Sequence, residues 1–122
     1  MEQVAELLET AADALESGRI RWGKYDPISI NKPPGTMCAV ETIEAVAEQM
    51  GLDTMSAHWR GGDAYQATHS YQASKAVSFH VTKGRSVNHL TAWNDTEARN
   101  LDEVVQAFKE TAKKIRNGEM SS

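Results

Sequence analysis

The chain is poor in the residues that staple small folds together: one cysteine, three prolines and two phenylalanines among 122 residues. A single cysteine forms no internal disulfide, and with four scattered histidines it forms no zinc framework. No metal site and no cofactor is therefore expected. No apolar run approaches the roughly 18–20 residues of a membrane span, and none follows a basic leader as in a signal peptide. The expectation is a cytoplasmic chain that does not engage membranes. A surplus of basic residues is missing too. Thirteen Lys and Arg face seventeen Asp and Glu, a net charge of −4 that argues against a dedicated nucleic-acid binder. What remains is 40% hydrophobic and 25% charged, enough for one soluble core. The charge comes in blocks, −5 over residues 1–17, +3 over 18–36, −4 over 37–55 and +3 over 56–90, which read as solvated faces.

Hydrophobic spacing defines three helices. Val4, Leu7, Leu8, Ala11 and Leu15 form one apolar stripe, with Glu2 and Glu6 toward the positive end of the helix dipole and Gly18 as its stop. Residues 19–36 then read as a loop, broken by Asp26-Pro27 and Lys32-Pro33-Pro34-Gly35, with Arg21, Trp22 and Tyr25 folding back onto the first helix. A second helix is expected after Gly35. Thr36 would be its cap, with Met37 and Cys38 in the first turn. Ala39, Val40, Ile43, Val46, Ala47 and Met50 face inward, Glu41, Glu44 and Glu48 face outward, and Gly51-Leu52 makes a Schellman-type end. The last helix is capped by Asn100 with Glu103 completing a capping box. It buries Leu101, Val104, Val105, Phe108, Ala112 and Ile115, and Lys113, Lys114 and Arg116 complement its dipole before Gly118.

The middle is less regular. Residues 53–70 are polar, with Arg60-Gly61-Gly62-Asp63 as a turn. Val77, Phe79 and Val81 alternate with polar residues as a strand would, whereas Ala73, Ala76, Val77 and His80 fit a helical stripe. A lone strand lacks a partner, so helix is favoured, with a short β element near residues 75–82 as the alternative. The expected fold is mainly α: a single domain of four or five helices over residues 1–118, with a frayed end at 119–122.

Several residues bear on chemistry. Cys38, placed in the first turn of a helix, sits where free N–H groups and the dipole lower a thiol pKa. His89 as general base and Asn94 or Asp95 as orienting group complete the order of a cysteine-nucleophile hydrolase or transferase. Against this stands the ordinary role of a free cysteine, a small buried residue packed against the first helix. Trp93-Asn94-Asp95 reads equally as a structural corner, with Trp93 plugging the core and the two polar residues fixing a turn. His69 and His80 lack a third ligand at helical spacing and read as core or solvated residues. Trp22 and Tyr25 beside Arg19, Arg21 and Lys24 offer a small stacking surface for bases, more readily a lid on the core. With no complete catalytic set, the leading expectation is a non-enzymatic interaction module that binds a protein partner. Its contact surface would lie in residues 53–72 and include His58, Trp59, Arg60 and Tyr65, with Trp22 and Tyr25 as further binding candidates.

The order of Trp22-Gly23-Lys24-Tyr25, the helix opening at Cys38-Ala39-Val40, and Trp93-Asn94-Asp95 ahead of a capped helix resembles a domain-of-unknown-function family of small actinobacterial and actinobacteriophage proteins. The likeness spans roughly residues 4–52 and 86–116. It departs at Glu41 and Thr42, where that family tends to carry a small residue. The resemblance implies a mostly helical fold and a bacterial or phage origin, and carries no activity.

Overall fold

Two amphipathic helices from opposite ends of the chain need each other to hide their apolar stripes. In the computed structural model, which describes residues 1–26, 28–29, 31–58, 62–83 and 87–120, they meet. The elements run α1 (Glu2–Glu16), β1 (Arg21–Trp22), β2 (Thr36–Met37), α2 (Ala39–Gln49), the 3-10 turns η1 (Met55–Ala57) and η2 (Gly62–Ala67), α3 (His69–Thr82), α4 (Val87–Thr96) and α5 (Leu101–Arg116). The fold is mainly α, a small single domain with five α-helices among the described residues.

The α1 stripe is buried throughout, widened by Ala5, Ala12 and Ala14. It packs most extensively against α5, whose Val104, Val105, Phe108, Ala112 and Ile115 are buried in turn. The two helices run antiparallel. Lys109 meets Glu16 at 2.7 Å, and two turns further on Arg116 meets Glu9 at 2.7 Å and Glu2 at 3.5 Å. Arg116 holds the Glu9 carboxyl below its ordinary pKa through a hydrogen bond. Such exposed pairs fix orientation more than stability, at about 0–1 kcal/mol each. Ile43, Val46 and Ala47 of α2, Ala73 and Val77 of α3 and Leu90 of α4 complete one continuous core.

The end of α2 is the Schellman motif expected: Leu52 N–H donates to Ala47 O at 2.9 Å and Gly51 N–H to Glu48 O at 3.1 Å, with Gly51 at φ +73°. Its start is not as expected. Thr36 does not cap it. Thr36 and Met37 form β2, paired in parallel with Arg21 and Trp22, and the Thr36 hydroxyl donates to Pro33 O at 2.6 Å. The helix opens later, with Cys38 as its cap residue. The β element near residues 75–82 is likewise corrected, since that stretch lies in α3 and the sheet joins β1 to β2 instead. The alternation misled because α3 buries Ser70, Ala73, Ser74, Val77 and Ser78 while Phe79 stands 50% exposed.

Two further expectations change. Trp93-Asn94-Asp95 is not a turn but part of α4, followed by Ala98 N–H bonding back to Trp93 O at 2.9 Å. Asn100 does cap α5, its Oδ1 accepting the Glu103 N–H at 3.1 Å, but the Glu103 carboxylate returns to Arg99 N–H rather than to Asn100, so the box is displaced by one residue. Past Gly118, Glu119 N–H donates to Lys114 O at 2.8 Å and Met120 packs against the core; Ser121 and Ser122 lie outside the described residues.

Phe108 is fully buried, so Phe108→Ala is expected to cost about 3–5 kcal/mol in urea unfolding. Phe79→Ala, which removes an exposed ring, is expected to stay within about 0.5 kcal/mol. Equal losses would contradict the helical placement of residues 75–82.

Candidate functional site

The three segments that carry the family resemblance converge on one side chain, Asn94, which is completely buried. It lies four residues after Leu90 on α4, so both share the inward face. Its Oδ1 accepts the indole Nε1–H of Trp22 at 2.7 Å and the backbone N–H of Ala39 at 3.0 Å. Its Nδ2 donates to Gly23 O at 3.3 Å and to Asp95 Oδ1 at 3.1 Å. An amide has two acceptor sites and two N–H donors, so this set exhausts it, and turning the amide over would face donor against donor. Ala39 is the first residue of α2. Asn94 therefore satisfies from another helix an N-terminal amide of α2 that has no partner within that helix.

The surrounding loop is tied at each step. Asp95 Oδ1 accepts Tyr25 N–H at 3.0 Å, and Lys24 Nζ donates to Ala98 O at 2.9 Å. Gly23 N–H donates to Met37 O at 3.0 Å, and a Cβ at Gly23 would come within 2.6 Å of the Thr36 Cβ, so only glycine fits. Lys32 bonds Thr36 O, lies 3.4 Å from Glu41 and sits 5.4 Å from the Tyr25 ring centre. Trp22 packs against the common core while its indole N–H reaches α4, and the Tyr25 backbone is tied to α4 as well.

Cys38 is 3% exposed. Its N–H donates to Glu41 Oε1 at 3.0 Å. Burial pushes its thiol up to about 11, with the Glu41 charge adding to the rise, and the amides of Glu41 and Val40 oppose it without prevailing. The lowered pKa expected of a helix start is corrected: desolvation wins. Asn94 reaches the residue beside Cys38, but His89 does not join them. It is exposed, makes no hydrogen bond to a described residue, and five residues of helix separate it from Asn94, about 140° around the axis.

The middle segment is organised by Glu44, which the sequence reading sent outward. Its Oε1 accepts Met55 N–H at 2.9 Å and the hydroxyl of fully buried Ser70, and its Oε2 accepts Ser56 N–H at 3.3 Å. Glu44 lies in line with Val40 and Ala47 at helical spacing, a position on the border of the stripe that hinted at this role. Glu44, Met55, Ser56 and Tyr65 line an open pocket of about 430 Å³. The ring of Tyr65 meets that of Tyr71 edge-on, 5.3 Å between centres and 82° between planes. His58 pairs with Asp53 at 2.9 Å. Trp59 and Arg60 lie outside the described residues. His69 bridges Asp53 N–H and Gln3, and His80 sits between Glu110 and Lys114. Among the described residues, no three of His, Cys, Asp and Glu are placed to hold a metal, and no helix is long and apolar enough to cross a membrane.

A small helical domain braced by a buried asparagine, with an open pocket beside its 3-10 segment, is the class these features define. The chain belongs to a family of unknown function, DUF6197, whose model matches residues 1–114. That match includes the residues around Asn94 and also the middle stretch that the sequence resemblance left out. The chain matches no curated protein and no solved structure.

Asn94→Leu strands the Trp22 indole N–H and the Ala39 N–H, and each buried orphan costs about 1–3 kcal/mol. Denaturant unfolding should show a loss in that combined range, whereas Trp22→Phe, which removes a single donor, should lose less. For Cys38 the sign of the pH dependence is set by the raised value. The folded thiol ionises at about 11 against an ordinary 9.0, so the stability it lends is whole below pH 9 and is lost as pH rises through 11. Cys38→Ala should show a shallower alkaline decline than the wild type, and iodoacetamide should label native Cys38 at neutral pH only through opening of the fold. Parallel declines, or rapid native labelling, would overturn the burial argument.

Proposed function

We propose that this protein is a small non-enzymatic interaction module, a cytoplasmic accessory protein of actinobacterial or phage origin, that captures a partner protein through the face formed by η1 and η2. The pocket beside Glu44 carries this reading. It is concave, its walls are the apolar bodies of Met55 and Tyr65, and it opens on the segment from which the sequence expected contacts. The groups gathered around Asn94, by contrast, are spent on one another. Trp22, Asn94 and Asp95 point their polar atoms into internal hydrogen bonds, which leaves them to hold the fold. The alternative of a Cys38–His89–Asn94/Asp95 hydrolase or transferase draws no support from a neutral thiol and a histidine on another face of α4.

The test is site-directed photocrosslinking. A benzophenone side chain at Ser56, which is exposed at the pocket rim, should trap a discrete partner from cells of the source organism. Tyr65→Ala should abolish that product, while the same probe at exposed Lys75 on α3 should yield none. Equal crosslinking from Ser56 and Lys75, or a Ser56 product indifferent to Tyr65→Ala, would refute the assignment.

A further inference from the structure

Resting on the pocket as a binding site, we infer that its occupant is a cationic side chain with an aliphatic stem, a lysine or arginine of the partner protein. The argument begins with the lone pairs of Glu44. A carboxylate offers about four acceptor sites. Oε1 is filled by the Ser70 hydroxyl and the Met55 N–H, whereas Oε2 receives only the Ser56 N–H at 3.3 Å and keeps room for another donor. The charge is also unbalanced. Of the three glutamates of α2, Glu41 meets Lys32 at 3.4 Å and Glu48 is exposed to water. Glu44 is half-buried and has no cation within ion-pair distance among the described residues. A carboxylate set partly out of water attracts a counter-charge more strongly than an exposed one.

The walls select the rest of the ligand. Met55 and Tyr65 offer apolar surface along which a methylene stem can lie. Tyr65, steadied by its edge-on contact with Tyr71, adds an aromatic ring beside the carboxylate, and such a ring favours cations. An anion would meet the uncompensated Glu44. A neutral apolar group would cover Oε2 without giving it a partner, which is the costly arrangement.

Titrating the full chain with n-butylammonium, 1-butanol and butanoate, followed through backbone amide NMR shifts, tests this directly. Butylammonium should shift the amides of Met55, Ser56 and Tyr65 and bind roughly tenfold more tightly than butanol. Butanoate should leave these amides in place. Glu44→Gln should bring ammonium and alcohol to parity, and Glu48→Gln should change nothing. Because Glu44 also holds the Met55 and Ser56 amides, Tyr65→Leu provides a second variant, expected to weaken the ammonium more than the alcohol. If butanol or butanoate binds at these residues as well as the ammonium does, the cationic occupant is overturned while the pocket remains a binding site. If none of the three moves these amides, the pocket itself is refuted and the proposed function falls with it.

Discussion

The buried amide of Asn94 is the interaction on which the rest of the arrangement depends. Two strands of two residues each cannot hold a parallel pairing by themselves, and the described residues of the loop joining β1 to β2 form no helix or strand. What fixes that loop is a side chain from more than fifty residues away, which takes the Trp22 indole and the Gly23 carbonyl at one end and the first amide of α2 at the other. The direction of α2 is thereby set by α4. Such long-range bonds form only after a costly closure of the chain, and they repay it because the Trp22 indole, the Ala39 amide and the Gly23 carbonyl are satisfied at once.

This arrangement divides the molecule along α2. At its N-terminal end Asn94 spends all its donors and acceptors on internal partners, and Gly23 lies too close to Thr36 to carry a side chain. At the other end Glu44 faces a segment of 3-10 turns that is held by backbone-to-carboxylate bonds and does not fill the space beside it. A surface whose donors and acceptors are all used has little to offer a ligand. A half-buried carboxylate with an open lone pair at the wall of a pocket does, and Glu44 has that pocket beside it.

The legible parts of the fold were those built on large apolar side chains. Leu7, Leu8 and Leu15 in α1, Ile43 and Val46 in α2 and Phe108 in α5 recur at helical spacing, and burial followed it. α3 was ambiguous because its inward face consists largely of Ser70, Ala73, Ser74 and Ser78, residues small enough for close helix packing and invisible to a hydrophobic pattern. β1 and β2 were not legible at all, since two residues carry no period. The site was half legible. Trp22, Asn94 and Asp95 stood out as residues of interest, but an asparagine that caps a turn and one that caps a distant helix look the same in sequence. Glu44 was sent to solvent because a glutamate on an amphipathic helix usually goes there, and its partners Met55, Ser56 and Ser70 lie eleven to twenty-six residues further on, beyond any local pattern.

Cys38 shows how the same local pattern gives opposite chemistry in different surroundings. A helix start is worth about 0.3–1 kcal/mol to a nearby anion, which is less than one pKa unit. Desolvation of a buried group moves a pKa by up to roughly 3–5 units. Once Cys38 is 3% exposed, burial decides, and the thiol rises to about 11. The cap geometry reinforces the outcome. Asn94 Oδ1 occupies the Ala39 amide, a donor that would otherwise be free at the helix start, and Glu41 brings a negative charge to the Cys38 backbone. Burial of the helix start, with the nearby Glu41 charge, is what keeps the thiol protonated.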